Sequence, residues 1–150
     1  MNVTIESGDP RDPQVVELLR QSHELMQSLF PEESNHYLSI DSLCGPDIRF
    51  FVARQQGKTL GCGALLVKPG YGEVKSMFTD PAARGLGLGA LILTAIEDRA
   101  RTEKLPVLRL ETGHLLADAH RLYARSGFSE RGPFGDYRED ANSLFMEKAL

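Results

Sequence analysis

The chain has 150 residues, 41% of them hydrophobic and 25% charged, a composition typical of one globular domain, which we expect to span residues 1–150. A formal net charge of −4 without a basic run excludes nucleic acid as the main partner, because phosphate binding requires clustered Lys and Arg. With no long apolar segment and no signal-peptide pattern, the sequence predicts a cytoplasmic protein without a membrane partner.

The first half of the chain predicts a strand, two helices and three further strands. Residues 2–6 alternate as in a short strand, and apolar residues recur at helical spacing over 15–29, behind the capping pair Asp12-Pro13. Residues 38–43 predict a second, short helix. The next strands are predicted at 48–54, 60–67 and 73–79, with glycine-containing turns between them that are typical of hairpins.

The second half predicts helices at 88–100 and 115–126, separated by a short strand at 107–110. Gly127 stands where a helix C-terminal glycine belongs. Strands at 128–131 and 144–148 then flank a glycine-rich loop at 132–142. The predicted order is β-α-α-β-β-β-α-β-α-β-β, which is α+β. The last strand is expected at an edge, where it could pair two subunits, so a homodimer is left open.

The most informative segment joins the strand at 73–79 to the following helix. Arg84 is followed by three alternating glycines, Gly85, Gly87 and Gly89, which open the helix. Glycines let the main chain approach a ligand closely, and a helix N-terminus presents unpaired N–H donors to negative charge. This pattern predicts a site for a pyrophosphate group. A Walker-type loop is excluded, because no Gly-Lys-Ser/Thr follows.

A dinucleotide-binding protein is the alternative for this segment. Gly85, Gly87 and Ala90 satisfy G-x-G-x-x-A, and Glu111 follows where a ribose-binding acid would lie. Two features count against it: residues 80–84 separate the strand from the first glycine, and the flanking strands come as hairpins instead of βαβ units.

The segment Arg84-Gly85-Leu86-Gly87-Leu88-Gly89 resembles the signature of the GNAT family of N-acetyltransferases, Gln or Arg, two residues, Gly, one residue, Gly or Ala. A second stretch, 119–128, resembles the A-x-x-L-Y-x-x-x-G-F motif of the same family, in the right order and separation. The resemblance covers nearly the whole chain. It implies a mixed, mostly antiparallel central sheet flanked by helices, and an acetyltransferase that uses acetyl-CoA.

The resemblance also implies how the coenzyme is held. The main-chain amides of the signature segment would bind the pyrophosphate. The pantetheine arm would run along Met77, Phe78 and Thr79, in a splay between that strand and residues 107–110. A main-chain N–H of this strand, that of Phe78 in our expectation, would face the thioester oxygen as it becomes negative.

With the family match, Tyr123 is predicted to be the general acid that protonates the departing thiolate. Glu73 is the first choice for the base that removes the amine proton, with Glu111 second. His36 and Tyr37 are expected to shape the acceptor pocket, beside a loop at 134–137. The acidic loops and negative net charge favour a cationic amine, either a small molecule or a peptide.

One departure from relatives lies near the start of the third long helix, where Leu115-Leu116 replaces a polar residue that often reaches toward the coenzyme. His114 is a candidate to replace that contact. The four histidines are scattered without metal-ligand spacing, so no metal is expected. A non-catalytic acyl-CoA sensor on the same scaffold remains the second hypothesis, because sensors and enzymes bind the coenzyme alike.

Overall fold

The computed structural model describes residues 2–150, and over this range seven strands form one sheet in the order β1-β2-β3-β4-β5-β7-β6. The strands are β1 (Val3–Ser7), β2 (Ile48–Gln55), β3 (Lys58–Lys68), β4 (Tyr71–Thr79), β5 (Val107–Gly113), β6 (Ser129–Arg131) and β7 (Ser143–Ala149). The α-helices are α1 (Pro13–Leu29), α2 (Ile40–Leu43), α3 (Leu88–Thr102) and α4 (Ala117–Arg125). Short 3-10 turns at Glu32–Ser34 and Pro81–Ala83 complete the secondary structure of these residues.

The sheet is antiparallel except between β4 and β5, which run parallel and are joined through α3. Parallel neighbours require such a crossover, whereas the hairpins β2–β3 and β3–β4 close through tight turns. The predicted fold class and element order are confirmed.

Each face of the sheet carries its own hydrophobic core. The core beneath α3 and α4 includes Leu65, Val74, Ile92, Leu110 and Met146. The core beneath α1 and α2 is smaller and includes Val15, Leu19, Leu43, Val52 and Cys62. Because side chains alternate along a strand, neighbours of a residue in one core point to the opposite face. We call the face of the sheet beneath α3 and α4 the α3 face, and the face beneath α1 and α2 the α1 face.

Local interactions mark the start of α1 and the end of α4, as the sequence predicts. The Asp12 carboxylate accepts a hydrogen bond from the Gln14 N–H at 2.9 Å, which caps α1 with proline in its first turn. Gly127 follows α4 with φ 95°, and the Phe128 N–H donates to the Tyr123 carbonyl at 3.0 Å. A left-handed glycine with this return bond is the common helix ending.

The expectation that the last strand lies at an edge is wrong. β7 lies between β5 and β6, bonded to both, and the edges of the sheet are β1 and the three-residue β6. The chain after α4 turns back and adds β6 outside β7. The proposed pairing of subunits through residues 144–148 therefore has no free edge to use.

No helix in residues 2–150 combines the length and apolar character needed to cross a bilayer.

The Phe30 ring, just beyond α1, packs closely against Gly113 at the end of β5, and a substitution can test this contact. A Cβ at this position would lie 2.2 Å from Cζ of Phe30, whose ring is buried just beyond α1. We expect Gly113→Ala to lower the free energy of unfolding by about 1–3 kcal/mol through overpacking, measured by urea denaturation. Gly132→Ala is the control, because a Cβ there meets no atom within 4 Å. Equal stability of the two variants would contradict this packing.

Candidate active site

The site begins where β4 and β5 separate. The two strands pair only at Gly72 with Leu108 and at Glu73 with Arg109, and they are unpaired beyond these positions. Main-chain groups on the facing edges of β4 and β5 therefore line an open gap that is free for a ligand. This is the splay that the sequence resemblance implies.

A bulge in β4 lies beside this gap. Cys62 pairs with Phe78 and Ala64 with Lys75, so β4 spans the same stretch with one more residue than β3. Ser76 is at the bulge with φ 57°, a left-handed conformation that is uncommon outside glycine, and its buried hydroxyl has no hydrogen-bond partner among the described residues. The bulge interrupts the regular alternation of main-chain N–H and C=O groups along β4.

The alternation of the ladder decides which N–H groups face the gap. The Asp80 N–H donates to the Leu60 carbonyl on β3, so the Phe78 N–H, two residues earlier, also points toward β3. Thr79 lies between Phe78 and Asp80 in the regular part of the ladder, so its N–H group points into the gap, whereas Met77 lies within the bulge, where the alternation is interrupted. The Phe78 N–H therefore faces β3 and not the gap, and the Phe78 ring packs against the core on the α1 face.

The predicted pyrophosphate site forms a donor-rich turn at the start of α3. Gly85 and Gly87 have φ of 84° and 75°, and a Cβ on either would meet no protein atom within 4 Å. Gly87 is the N-cap of α3, and no side chain caps the helix. The first N–H groups of α3 therefore remain available to an anion. Arg84 and Leu86 are exposed on the same turn.

Tyr123 reaches the gap from α4. Its side chain is buried against Phe128, with ring centroids 5.7 Å apart, and its hydroxyl makes no hydrogen bond within residues 2–150. Burial raises the pKa of Tyr123, and the nearby charge of Glu111 raises it further. The phenol therefore keeps its proton at neutral pH and can donate it.

Glu73 lies on the α1 face of β4 and is almost fully buried. The Tyr137 hydroxyl donates to its Oε2 at 2.5 Å, and the Lys75 Nζ lies 3.3 Å from the same oxygen. Lys75 also donates to the His36 carbonyl and to the Tyr137 oxygen, each at 2.9 Å. The buried charge of Glu73 is thus paired and hydrogen-bonded, as burial requires.

Sequence reasoning missed Lys75, and it treated Tyr137 only as part of a loop. The period of two in β4 places residues 73 and 75 on one face, so Lys75 could have been noticed beside Glu73. The contact from Tyr137 crosses 64 positions of sequence and left no local signal.

Glu111 lies on the α1 face of β5, since its neighbour Leu110 is in the opposite core. Ser143 donates to its Oε2 at 2.8 Å. Burial raises the pKa of Glu111 and the negative charge of Glu73 adds to this, while the Ser143 hydrogen bond and the charges of His36 and Lys75 oppose it. Two carboxylates, one on β4 and one on β5, therefore lie on the same face of the sheet.

His36 and Tyr37 approach this face from the connection between α1 and α2. The His36 ring meets Tyr137 edge-on at 5.1 Å. Tyr37 stacks on His23 at 4.0 Å and accepts a hydrogen bond from the Gln27 amide at 2.8 Å. Tyr37 is therefore braced against α1, while His36 lies next to the carboxylates.

His114 does not supply the missing polar contact near α4. It is exposed, its N–H donates to the Asn142 carbonyl at 3.0 Å, and its ring packs against Phe30 with centroids 6.1 Å apart. Leu116 is the N-cap of α4 and lines the gap with an apolar side chain.

Two adjoining cavities meet at His36 and Lys75, which line both. The first, of about 120 Å³, is lined by Met77, Tyr123 and Glu111. The second, of about 440 Å³, is lined by Glu73 and opens beneath the loop that carries Tyr137. A donor bound in the splay and an acceptor in the second cavity would meet beside the carboxylates.

Known proteins are similar to this chain in sequence. The profile of the Acetyltransferase (GNAT) family matches residues 13–128. An IAA acetyltransferase of Azospirillum brasilense is 48% identical over 99% of both chains, and an uncharacterized N-acetyltransferase of Bacillus subtilis is 37% identical over 97% of this chain and 99% of its own.

Solved structures show the same architecture. A protein of Klebsiella pneumoniae, solved as a candidate acyl-CoA N-acyltransferase, superposes with a TM-score of 0.83 at 33% identity, covering 99% of this chain and 97% of its own. An N-acetyltransferase of Thermoplasma acidophilum, solved with coenzyme A, shares the fold over 100% of both chains, with a TM-score of 0.79 at 18% identity.

The fold and site are therefore those of an N-acetyltransferase that takes its acyl group from an acyl-CoA. The chain belongs to the GNAT family of acetyltransferases. The prediction of an enzyme of this class is confirmed, and the dinucleotide-binding alternative is overturned.

The turn at the start of α3 can be tested with a matched pair of glycines. Gly87 and Gly57 have φ of 75° and 77°, and neither has a protein atom near a built Cβ. Alanine at either position should cost about 1–2 kcal/mol of stability, because both would hold a left-handed conformation. Only at Gly87 would the new Cβ face the coenzyme, and there we expect the Kd for coenzyme A to rise about ten-fold in calorimetry. A Kd that rises equally in both variants would show that the turn is not the coenzyme site.

Proposed function

We propose that residues 1–150 form one catalytic domain that transfers an acetyl group from acetyl-CoA to an amine by direct attack in a ternary complex. The observation that carries this proposal is the gap between β4 and β5, which is lined by Tyr123 and Glu111 and lies beside β4, the strand that carries Glu73 and leads to the donor-rich turn of α3. The reaction needs those parts along one path.

The coenzyme would bind with its pyrophosphate on the main-chain amides of Arg84 to Gly89 and the first turn of α3. Its pantetheine arm would then enter the gap beside Met77, Phe78 and Thr79. An extended amide-bearing arm can replace the hydrogen bonds that β5 does not make to this edge of β4. Acetyl-CoA rather than a longer acyl-CoA is part of this proposal.

At the end of the gap, attack on the thioester places negative charge on its oxygen. The N–H of Met77, which lies in the bulge and lines the gap, is the donor that would stabilise this charge. The amine nitrogen would approach from the α1 face, where Glu73 and Glu111 lie. A carboxylate must accept its proton, directly or through water, because a protonated amine cannot attack.

The departing thiolate would take its proton from Tyr123. Its phenol is protonated at neutral pH and lines the same cavity as Met77. Without this proton the thiolate could attack the new amide and reverse the transfer. The hydroxyl of Tyr123, free of protein partners within residues 2–150, is suited to bind the sulfur.

The acceptor would be a small molecule or a peptide with a nucleophilic amine, and the name of the 48% identical IAA acetyltransferase supports acetyl as the group that is transferred. Acidic residues outnumber basic ones around the second cavity, as the charge-based expectation of a cationic amine requires. The acidic set is Glu33, Glu73, Asp136, Glu139 and Asp140, and the basic set is Lys68, Lys75 and Arg138. We place the reaction in the cytoplasm, where acyl-CoA is available.

Tyr123→Phe tests the acid. The variant keeps the buried ring and loses only the hydroxyl, so we expect the Kd for acetyl-CoA to stay constant while kcat falls about ten-fold or more. Thiol release would be followed with the best acceptor from a panel of polyamines, amino acids and peptides. An unchanged kcat in a folded variant would remove Tyr123 from the mechanism, and wild-type binding without turnover on any amine would support the sensor.

The base is tested by comparing Glu73→Gln with Glu111→Gln across pH. Loss of the base should cut kcat/KM by about 100-fold and remove its fall at low pH, where the carboxylate becomes protonated. We expect this of Glu73→Gln. Burial raises the pKa of Glu111. If Glu111 were the base, kcat/KM would therefore begin to fall at a pH above the usual pKa range of a glutamate. Glu130→Gln, on the exposed edge strand, is the control. If Glu73→Gln kept the wild-type profile, the role would pass to Glu111 or to water.

A further inference from the structure

The two partners of Glu73 engage the same oxygen. The Tyr137 hydroxyl donates to Oε2 at 2.5 Å, and the Lys75 Nζ lies 3.3 Å from Oε2. Among the described residues no donor contacts Oε1. The carboxylate is thus held from one side, with its second oxygen available to another hydrogen-bond donor.

Lys75 is already committed to the protein. Its ammonium donates to the His36 carbonyl and the Tyr137 oxygen and faces Glu73 with its remaining side. An ammonium has three donors, so little capacity is left for a substrate. Its contribution is a fixed positive charge behind Oε2.

The ring of Tyr137 is held by aromatic neighbours on several sides. Phe134, Phe145 and His36 lie at centroid distances of 5.0, 5.5 and 5.1 Å. Phe134 is buried and belongs, with Tyr137, to the loop between β6 and β7. Such packing restricts the ring to one orientation, so the direction of the hydroxyl is set before substrate binds.

We propose that Tyr137 is a positioning residue for acetyl transfer: with Lys75 it holds Oε2 of Glu73 and so presents Oε1 to the acceptor amine. This inference rests on the proposed function and on Glu73 as the base. It gives the loop at 132–142 a role in the reaction, because that loop delivers the hydroxyl across the sheet to β4.

Charged and titratable groups surround Glu73 from several elements. Those on β4, β5, the α1–α2 connection and the β6–β7 loop are Lys75, Arg109, Glu111, His36 and Tyr137, and the cavity that Glu73 lines adds Glu33, Lys68, Tyr71, Asp136, Arg138, Glu139 and Asp140. Removing the Tyr137 hydroxyl leaves all the other groups in place. Its effect on a pH profile therefore reports the single lost hydrogen bond.

The experiment compares Tyr137→Phe with Tyr71→Phe by thiol release across pH, using acetyl-CoA and the best amine of the acceptor panel. Both variants keep their rings in one aromatic cluster, and the Tyr71 hydroxyl makes no hydrogen bond to a described residue. In Tyr137→Phe we expect kcat to fall three- to ten-fold and the low-pH limb of kcat/KM to move relative to the wild type. The Tyr71 ring also lines the second cavity, but its hydroxyl makes no hydrogen bond to Glu73, so in Tyr71→Phe this limb should keep its wild-type position.

A double-mutant cycle with Glu73→Gln separates positioning from general damage. If Tyr137 acts through Glu73, Tyr137→Phe has little further effect once Glu73 is glutamine. Additive losses, or a uniform loss without movement of the limb, would overturn the inference while wild-type turnover left the proposed function intact. Unfolding midpoints and the Kd for acetyl-CoA, unchanged in Tyr137→Phe, would exclude misfolding. A wild type that binds acetyl-CoA without turnover on any amine would overturn both.

Discussion

The separation of β4 from β5 is the constraint on which the rest of the site depends. Only two residue pairs join these strands, and beyond them each strand bonds to its other neighbour alone. Unpaired main-chain groups inside a sheet are costly unless a ligand or water meets them. The bulge at Ser76 lies beside this opening, and the turn at Gly85 and Gly87 stands at the far end of β4. In the proposed mechanism, coenzyme binding, oxyanion stabilisation and proton transfer would all use this one opening.

Strand periodicity divides the chemistry between the two faces. Val74 and Leu110 belong to the core on the α3 face, so Glu73, Lys75 and Glu111 must lie on the other. Beside α1, loops cover the part of that face around Glu73, and the second cavity lies beneath them. Tyr123 approaches from the α3 face, on the opposite side of the splay. In the proposed mechanism, the base and the acid would therefore reach the thioester from opposite faces.

Much of this architecture was predictable from local patterns, because Asp12, Gly87 and Gly127 end or begin helices through interactions with their immediate neighbours. Strand order carries no such signal, so the internal place of β7 was missed. The bulge at Ser76 affects which main-chain N–H groups face the gap, and no local sequence signal predicts this bulge. The hydrogen bond from Tyr137 to Glu73 depends on the pairing of β7 with β5 and of β6 with β7, because these strands position the loop that carries Tyr137. Contacts between distant segments are decided by tertiary packing.

Ser76 has a consequence for how the enzyme fails on heating. A non-glycine residue in a left-handed conformation, with a buried hydroxyl that no described group satisfies, costs roughly 1–3 kcal/mol and persists only while the surrounding ladder enforces it. When the hydrogen bonds of that ladder weaken, Ser76 lowers its free energy by leaving the left-handed conformation. We therefore expect the geometry beside the thioester to be lost at temperatures where most of the sheet is still folded, so that thermal inactivation precedes global melting.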